Sequence, residues 1–270
     1  MSWRKLAPAV WGSPRDPQIY GELEVDAGPL LAFVDEARAA TGVRVTVTHL
    51  VGRAVALALA EQPDLNAVLA RGRFLQRESV DIFFVVALEG GRDLSGVKVR
   101  RADAKSAVDL ATELAERSAR LRAGEDASFG RSKRMIDVLP TRLLRLGLRL
   151  ADRLTGDFRL DLRRHGLPRD AFGSAMVTSV GMFGVQRAYA PLSPYYRIPF
   201  LVLVSEVAEK PVVVEGRVVP RPVLGLTVTM DHRYLDGAHA AGLARSVRAY
   251  LADPAAREPA PAGASDRVPA

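Results

Sequence analysis

The chain has 270 residues, of which 48% are hydrophobic, and it carries a net charge of +7. This length allows one large domain with a substantial core, and the absence of cysteine excludes disulfides, thiolate catalysis and thiolate-bound metals. The first residues lack the apolar core of a signal peptide and the apolar runs are too short to cross a membrane, so we expect a soluble cytoplasmic protein.

Strand and helix patterns alternate through the first half of the chain. Alternating residues predict a strand over 22–26, and Pro29 and Gly42 fit the two ends of a helix over 29–39. Thr48 is the expected N-cap of an apolar, buried helix that ends at Pro63. The other predicted elements are strands over 43–47, 73–76, 81–88 and 97–101, and an amphipathic helix to about 122 capped by Asp103 or Ser106.

Strand patterns dominate the second half, beyond a basic segment. The predicted strands cover 175–180, 200–207, 212–214, 217–219 and 223–230, and Glu215-Gly216 is a hairpin signal. A last helix over 236–252 ends before Pro254, and the Pro- and Ala-rich residues 254–270 predict a disordered tail. These patterns indicate one α/β domain over residues 1–253 with a mixed sheet and flanking helices.

A histidine motif follows the last predicted strand. The residues from Asp231 to Gly237, Asp-His-Arg-Tyr-Leu-Asp-Gly, place His-x-x-x-Asp-Gly where the strand pattern meets a helical one. A histidine held by a turn and followed by a carboxylate is suited to take a proton from a bound nucleophile. For an isolated pair of this kind, a helix cap with local pairing is the alternative.

Several stretches resemble one family in the expected order. Residues 226–239, Leu-Thr-Val-Thr-Met-Asp-His-Arg-Tyr-Leu-Asp-Gly-Ala-His, resemble the C-terminal signature of the 2-oxo acid dehydrogenase E2 acyltransferase catalytic domain. Residues 177–184, Val-Thr-Ser-Val-Gly-Met-Phe-Gly, are similar to its Ile-Ser-Asn-Leu-Gly-Met-Phe-Gly stretch, and residues 46–59, 81–88 and 99–106 resemble its early helix and central strands. The resemblance spans roughly residues 4–253 with one interruption. It implies a chloramphenicol acetyltransferase-like fold.

The resemblance also implies a reaction, in which an acyl group moves between the thiols of dihydrolipoamide and coenzyme A without an acyl-enzyme. His232 matches the base that deprotonates the attacking thiol. Thr178 matches the hydroxyl that donates a hydrogen bond to the tetrahedral oxyanion, and Ser179 is the alternative after a shift of one residue.

Other residues of the motif match supporting positions. Asp236, followed by Gly237, matches a carboxylate that fixes the geometry of the site, while Asp231 and Arg233 are expected to hold the loop. The candidate ion-pair partners of Asp236 are Arg4 and Arg15. The other histidines, His49, His165 and His239, are weaker candidates for chemistry.

The family works as a trimer, with the histidine of one subunit facing the hydroxyl of the next, so the resemblance implies a homotrimer. The matching pattern begins within the first few residues, so we expect the lipoyl group in trans, from a lipoyl-bearing or acyl-carrier protein. A non-catalytic E2-like scaffold or binding subunit is the alternative. The sequence has no metal-ligand spacing, phosphate loop or aromatic-interleaved basic patch, so we expect no metal and no nucleic acid.

The interruption is a basic insertion over 129–170. Between Arg131 and Arg169, eleven basic residues oppose four acidic ones, a surplus equal to the net charge of the whole chain. Helical spacing puts six apolar residues on one face and four arginines on the opposite one: Ile136, Leu139, Leu143, Leu146, Leu150 and Leu154, and Arg142, Arg145, Arg149 and Arg153. Three interpretations stay open. The leucine face docks on its own or a neighbouring subunit, the helix lies on an anionic membrane, or the arginines attract polyanions. We also expect the insertion to block or alter a large cage assembly.

Overall fold

Two fifteen-residue strands form a long hairpin near one edge of the main sheet. The computed structural model describes residues 16–88, 93–123 and 140–259. Strands β7 (Phe200–Val214) and β8 (Arg217–Asp231) pair antiparallel, with one register shift between Val204 and Val207. The four strands predicted over 200–207, 212–214, 217–219 and 223–230 are thus parts of two continuous ones. Glu215 and Gly216 connect them with φ angles of 49° and 77°. A two-residue hairpin turn with both φ angles positive suits the twist of the strands, so the predicted hairpin signal is confirmed.

The main sheet also contains β1 (Gln18–Asp26), β4 (Ile82–Leu88), β5 (Asp93–Val99) and β6 (Ala175–Ser179). Its six strands within the described residues have the order β1-β8-β7-β6-β4-β5. Strand β6 is parallel to both β4 and β7, whereas the other pairs are antiparallel, so the predicted mixed sheet is confirmed. A separate hairpin contains β2 (Ala67–Ala70) and β3 (Arg73–Gln76).

Four helices contribute to the apolar core on one face of the sheet. They are α1 (Gly28–Thr41), α2 (Val47–Glu61), α3 (Ala107–Arg122) and α5 (Gly237–Ala252). Helix α2 is buried along most of its length, which explains why its sequence is apolar nearly all round. A second, smaller core lies on the opposite face of the sheet and includes Met176, Leu192 and Ile198. Helix α4 (Thr141–Asp152) belongs to the insertion.

Two local predictions in the first half are wrong. Residues 43–47 form no strand, because the carbonyl of Val45 accepts a hydrogen bond from Arg38 Nε at 2.8 Å instead of pairing with a strand. The N-cap of α2 is Thr46 rather than Thr48, and His49 completes a capping box with it. Strand β2 was not predicted, because its Ala-Val-Leu-Ala sequence has no strand-specific alternation.

The cap of α3 and the end of the domain are also defined by side chains. Ser106 caps α3 by accepting a hydrogen bond from the backbone of Asp109 at 3.1 Å, which selects it over Asp103. Residues 254–258, assigned by sequence to the tail, form a turn in which Glu258 accepts hydrogen bonds from Arg53 and Tyr250 at 3.0 and 2.8 Å. The folded domain therefore extends at least to Glu258, and the tail beyond 259 lies outside the described residues.

Candidate functional site

The turn that carries His232 is tied to the ends of neighbouring strands. The Asp231 amide donates to the carbonyl of Pro199, and the His232 amide donates to the carbonyl of Pro17, both at 2.9 Å. A third bond, from the Tyr234 amide to the Asp231 carbonyl at 2.9 Å, closes the turn. The backbone of His232 is thus held between β8, the start of β1 and the start of β7.

The imidazole of His232 is oriented by a backbone carbonyl in its own turn. Its Nδ1 lies 2.7 Å from the carbonyl oxygen of Leu235. Because a carbonyl only accepts hydrogen bonds, Nδ1 carries the proton in this contact, and in the neutral ring the lone pair is on Nε2. His232 is exposed, whereas Leu235 is buried in the core. A fixed tautomer on an exposed ring, with no hydrogen bond to Nε2 from the described residues, is the arrangement that a general base requires.

Asp231 and Arg233 pair with each other across the same turn. Asp231 Oδ1 accepts from the amide and the Nε of Arg233, both at 3.0 Å, and Oδ2 accepts from Nη2 at 2.5 Å. These contacts with Asp231 raise the pKa of the Arg233 guanidinium. Since Asp231 is buried, its charge needs this partner.

Asp236 is the N-cap of α5. Its Oδ1 accepts from the amides of Ala238 and His239 at 3.0 and 3.1 Å, and the His239 ring lies 2.7 Å away. The bonds from His239, first its amide and then its ring, hold the pKa of the Asp236 carboxyl below its usual range. Gly237 is the first residue of the helix. The partners proposed from sequence, Arg4 and Arg15, lie outside the described residues.

Tyr234 links the turn to two other parts of the fold, and sequence reasoning assigned no role to it. Its hydroxyl accepts from the amide of Leu69 at 2.9 Å and donates to the carbonyl of Arg197 at 3.3 Å. The Arg197 side chain donates a hydrogen bond to the carbonyl of Leu69 at 3.1 Å. Tyr234, Leu69 and Arg197 therefore form a closed ring of hydrogen bonds. Burial raises the pKa of the Tyr234 hydroxyl, which stays protonated.

The guanidinium of Arg197 also holds the insertion on the domain. It binds both carboxylate oxygens of Asp152, at 2.5 and 2.7 Å, and Asp157 at 2.8 Å. Gly156 allows this approach, because a Cβ there would lie 2.3 Å from Arg197 Nε. Arg197 and Tyr234 thus link the insertion to the turn of His232.

A second ion cluster fixes the other end of the insertion. Asp170 accepts from Arg77 at 2.5 Å and from both terminal nitrogens of Arg159 at 2.6 and 2.7 Å. Arg77 is buried and its other terminal nitrogen donates to the carbonyl of Arg197 at 2.7 Å. Both clusters therefore meet at Arg197, which no sequence motif indicated.

The two candidate hydroxyls on β6 point to opposite faces of the sheet. Ala175 and Val177 lie in the core under the helices, and alternation puts Ser179 on that same face. Ser179 lines a surface cleft of about 280 Å³ between α1, the start of α2 and β7. Thr178 shares its face with Met176 and Val180, which belong to the smaller core. Only one of the two hydroxyls can thus serve a given site.

The structure does not bring His232 and Thr178 together within one chain. Thr178 pairs with Leu203 of β7, which pairs with Thr227 of β8, four residues before Asp231. Strand geometry therefore separates Thr178 from Asp231 by about 13 Å along the strands and about 10 Å across them. A hydroxyl at that distance cannot hydrogen-bond to a substrate atom that also contacts His232.

Within the described ranges, no group of three or more His, Asp and Glu side chains has the arrangement of a metal site. In the same part of the chain, no helix combines the length and apolar character needed to cross a membrane.

Comparison with known proteins gives a consistent match. The family model of 2-oxoacid dehydrogenases acyltransferase (catalytic domain) matches residues 10–128 and 168–257. The unmatched residues 129–167 coincide with most of the insertion proposed over 129–170. The match therefore covers the sheet, its four helices and the His232 turn, and excludes helix α4.

Individual relatives agree with this match. The dihydrolipoyllysine-residue acetyltransferase component of the acetoin cleaving system of Bacillus subtilis is 27% identical over 215 residues, which are 80% of this chain and 43% of that protein. The chain thus spans less than half the length of this curated relative.

Solved structures match over most of the chain. A dihydrolipoamide acetyltransferase from Azotobacter vinelandii has a TM-score of 0.66 at 26% identity, covering 90% of this chain and 84% of that one. The cubic core of a pyruvate dehydrogenase multienzyme complex has a TM-score of 0.65 at the same identity and coverage.

Proposed function

Because the chain belongs to the family of 2-oxoacid dehydrogenase acyltransferases (catalytic domain), we propose that it moves an acyl group between coenzyme A and a thiol acceptor such as dihydrolipoamide, supplied in trans. The observation that carries the proposal is the His232 ring, whose Nδ1 is bound to the Leu235 carbonyl while no described residue hydrogen-bonds to Nε2. An imidazole is a suitable base for a thiol, whose ordinary pKa is about 8.5.

His232 acts in both halves of this reaction. Its Nε2 takes the proton from the attacking thiol, and the sulfur forms a bond to the carbonyl carbon of the thioester. The tetrahedral intermediate then collapses, the original carbon–sulfur bond breaks, and the departing thiolate takes the proton back from Nε2. The proton and the acyl group are exchanged between two thiols, so no other reactant is required.

We assign the oxyanion contact to Thr178 and not to Ser179. Thr178 lies on the sheet face opposite the helices, whereas Ser179 faces α1 and α2. The related Azotobacter vinelandii enzyme has been studied for the role of a serine, a histidine and an asparagine in its catalytic mechanism, the last two standing four positions apart. His232 and Asp236 have this spacing, and a hydroxyl 54 positions before His232 supplies the third group.

If His232 and Thr178 act on the same substrate, their separation within one chain calls for a second subunit in the site. We therefore propose a homotrimer in which the histidine of one subunit and the threonine of the next meet across the interface. This repeated contact is heterologous and closes after three copies. Each chain then contributes its histidine to one site and its threonine to another, and it completes neither site alone.

Mixing two inactive variants tests this proposal directly. Thr178→Ala should lower kcat by about a hundredfold through loss of one oxyanion donor, while Thr178→Ser and Ser179→Ala should stay within a few-fold of wild type. If His232→Ala and Thr178→Ala chains are unfolded and refolded together in equal amounts, about a quarter of the shared sites regain both groups.

Recovery of about a quarter of the wild-type rate supports the shared site, and no recovery above the parent variants contradicts it. Wild-type chain without activity on any acyl-CoA, but with an intact fold, would instead favour a non-catalytic scaffold.

A further inference from the structure

Helix α4 carries a row of leucines that the domain leaves exposed. Leu143, Leu146 and Leu150, here called the leucine stripe, are 54%, 64% and 57% exposed. Phe158 and Leu160, which follow the helix, are 58% and 45% exposed. Exposed apolar area of this kind is unfavourable in water and commonly marks an interaction surface.

A row of arginines lies beside the leucine stripe. Each of its members, Arg142, Arg145 and Arg149, stands one position before a leucine of the stripe. Consecutive helical positions differ by about 100° around the axis, so the arginine stripe adjoins the leucine stripe. The prediction that the arginines lie on the opposite face of the helix is therefore wrong. All three arginines are exposed, and no ion pair joins them to a carboxylate within the described residues.

The attachment of α4 to the domain keeps both stripes turned outward. Ala151 is buried, and Asp152 is bound by both Nε and Nη2 of Arg197. By helical spacing, Ala151 lies opposite the arginine stripe, whereas Asp152 lies on the arginine side, three positions after Arg149. The single acidic side chain of α4 is therefore already paired with Arg197, and the arginine stripe has no carboxylate partner among the described residues.

We propose that α4 docks the protein on an anionic lipid surface. The leucine stripe enters the apolar layer, and the arginine stripe binds the phosphates of the headgroups. A strongly amphipathic helix with unpaired arginines next to leucines is the pattern that binds such interfaces. Charge argues against a second copy of this patch as the occupant, because pairing two copies would bring unpaired arginines together. The docking site does not depend on the proposed acyl transfer.

Vesicle flotation of the full chain tests the proposal. The chain should float with vesicles that contain phosphatidylglycerol and stay behind with vesicles of phosphatidylcholine alone, and added salt should weaken the binding. Each arginine of the stripe replaced by glutamine should lower the affinity by roughly fivefold. The variant Leu143→Ser/Leu146→Ser/Leu150→Ser should lose at least about tenfold.

A matched control removes exposed apolar side chains elsewhere. Val213 and Val218 are 71% and 72% exposed on the β7–β8 hairpin, and the double serine variant should bind like wild type. The proposal is overturned if wild-type chain ignores anionic vesicles, or if the leucine variant binds them as well as wild type does. It is also overturned if the leucine variant instead breaks a lipid-free assembly into smaller particles, which would make the stripe a subunit contact.

Discussion

The Nδ1 atom of His232 lies 2.7 Å from the carbonyl oxygen of Leu235, three residues later in the same turn. Leu235 is buried, so this acceptor is fixed by the core rather than by a mobile side chain. The tautomer of His232 is therefore set by backbone geometry. Side chains around the turn hold the proposed base through that geometry, and the first predictions concern these side chains.

Tyr234→Phe should destabilise the domain and slow acyl transfer. The change leaves the Leu69 amide and the Arg197 carbonyl without the Tyr234 hydroxyl. Loss of these bonds at a half-buried position should lower the free energy of unfolding by about 1–2 kcal/mol, measured by urea denaturation. Hydrogen exchange of residues 231–235 should also accelerate.

Tyr20→Phe is the control for Tyr234, because Tyr20 is 58% exposed and its hydroxyl has no hydrogen bond within the described part of the chain. Unchanged stability in both variants would show that the ring of hydrogen bonds at Arg197 contributes little.

At Asp236, the size of the effect should depend on whether a capping oxygen remains. Asp236→Asn keeps an acceptor for the Ala238 and His239 amides, so α5 and the rate should change little. Asp236→Ala removes the acceptor and should lower the unfolding free energy by about 1 kcal/mol. Thermal unfolding and steady-state rates measure both effects, and equal behaviour of the two variants would argue against a capping role.

Two glycines in the insertion should respond in opposite ways to alanine. A Cβ at Gly156 would lie 2.3 Å from Arg197 Nε, so Gly156→Ala displaces that side chain from Asp152 and Asp157. We expect a loss of about 1–3 kcal/mol in unfolding free energy. Gly147 has nothing within 4 Å of its Cβ position, so Gly147→Ala should stabilise α4 by roughly 0.5–1 kcal/mol.

Denaturation of the two glycine variants side by side provides the measurement. Gly156→Ala with wild-type stability would show that Arg197 does not hold the insertion.

Acid should destabilise the domain through His49. Burial, with smaller effects of Arg38 and Arg44, lowers the pKa of His49 to about 4. Its Nδ1 accepts from the Thr46 amide at 3.0 Å, which needs the neutral ring. An unfolded histidine binds a proton near pH 6.5, so this contribution is complete above that pH and is lost as the pH falls toward about 4.

The His49 contribution amounts to roughly 3 kcal/mol, and unfolding free energies across this pH range measure it. His49→Gln keeps an acceptor for the cap but cannot titrate, so it should flatten the profile. An equally steep acid loss in this variant would assign the effect to other groups.

Periodic elements were predictable from sequence, whereas the contacts that support the turn were not. Strands β3 and β7–β8, the cap of α3 and helix α5 follow from alternation, capping residues and turn signals within a few positions. The predicted strand over 43–47 fails because a side chain, Arg38, takes the backbone acceptor. Arg197 and Asp152 are 45 residues apart, and nothing local in either sequence indicates their pairing.

In the candidate site, too, the sequence indicated the local motif but not the contacts that support it. The motif around His232 was visible as a local pattern, but the Leu235 carbonyl contact and the hydroxyl of Tyr234 depend on turn geometry. The choice between Thr178 and Ser179 needed the faces of β6, which depend on the two cores that the fold creates.

The most direct test is the release of free coenzyme A from acetyl-CoA and branched-chain acyl-CoAs in the presence of dihydrolipoamide, with wild type and His232→Ala compared. We predict turnover by wild type on at least one acyl-CoA and a rate that is lower in the variant by a factor on the order of 10²–10⁴. Equal rates in the two proteins would contradict His232 as the base.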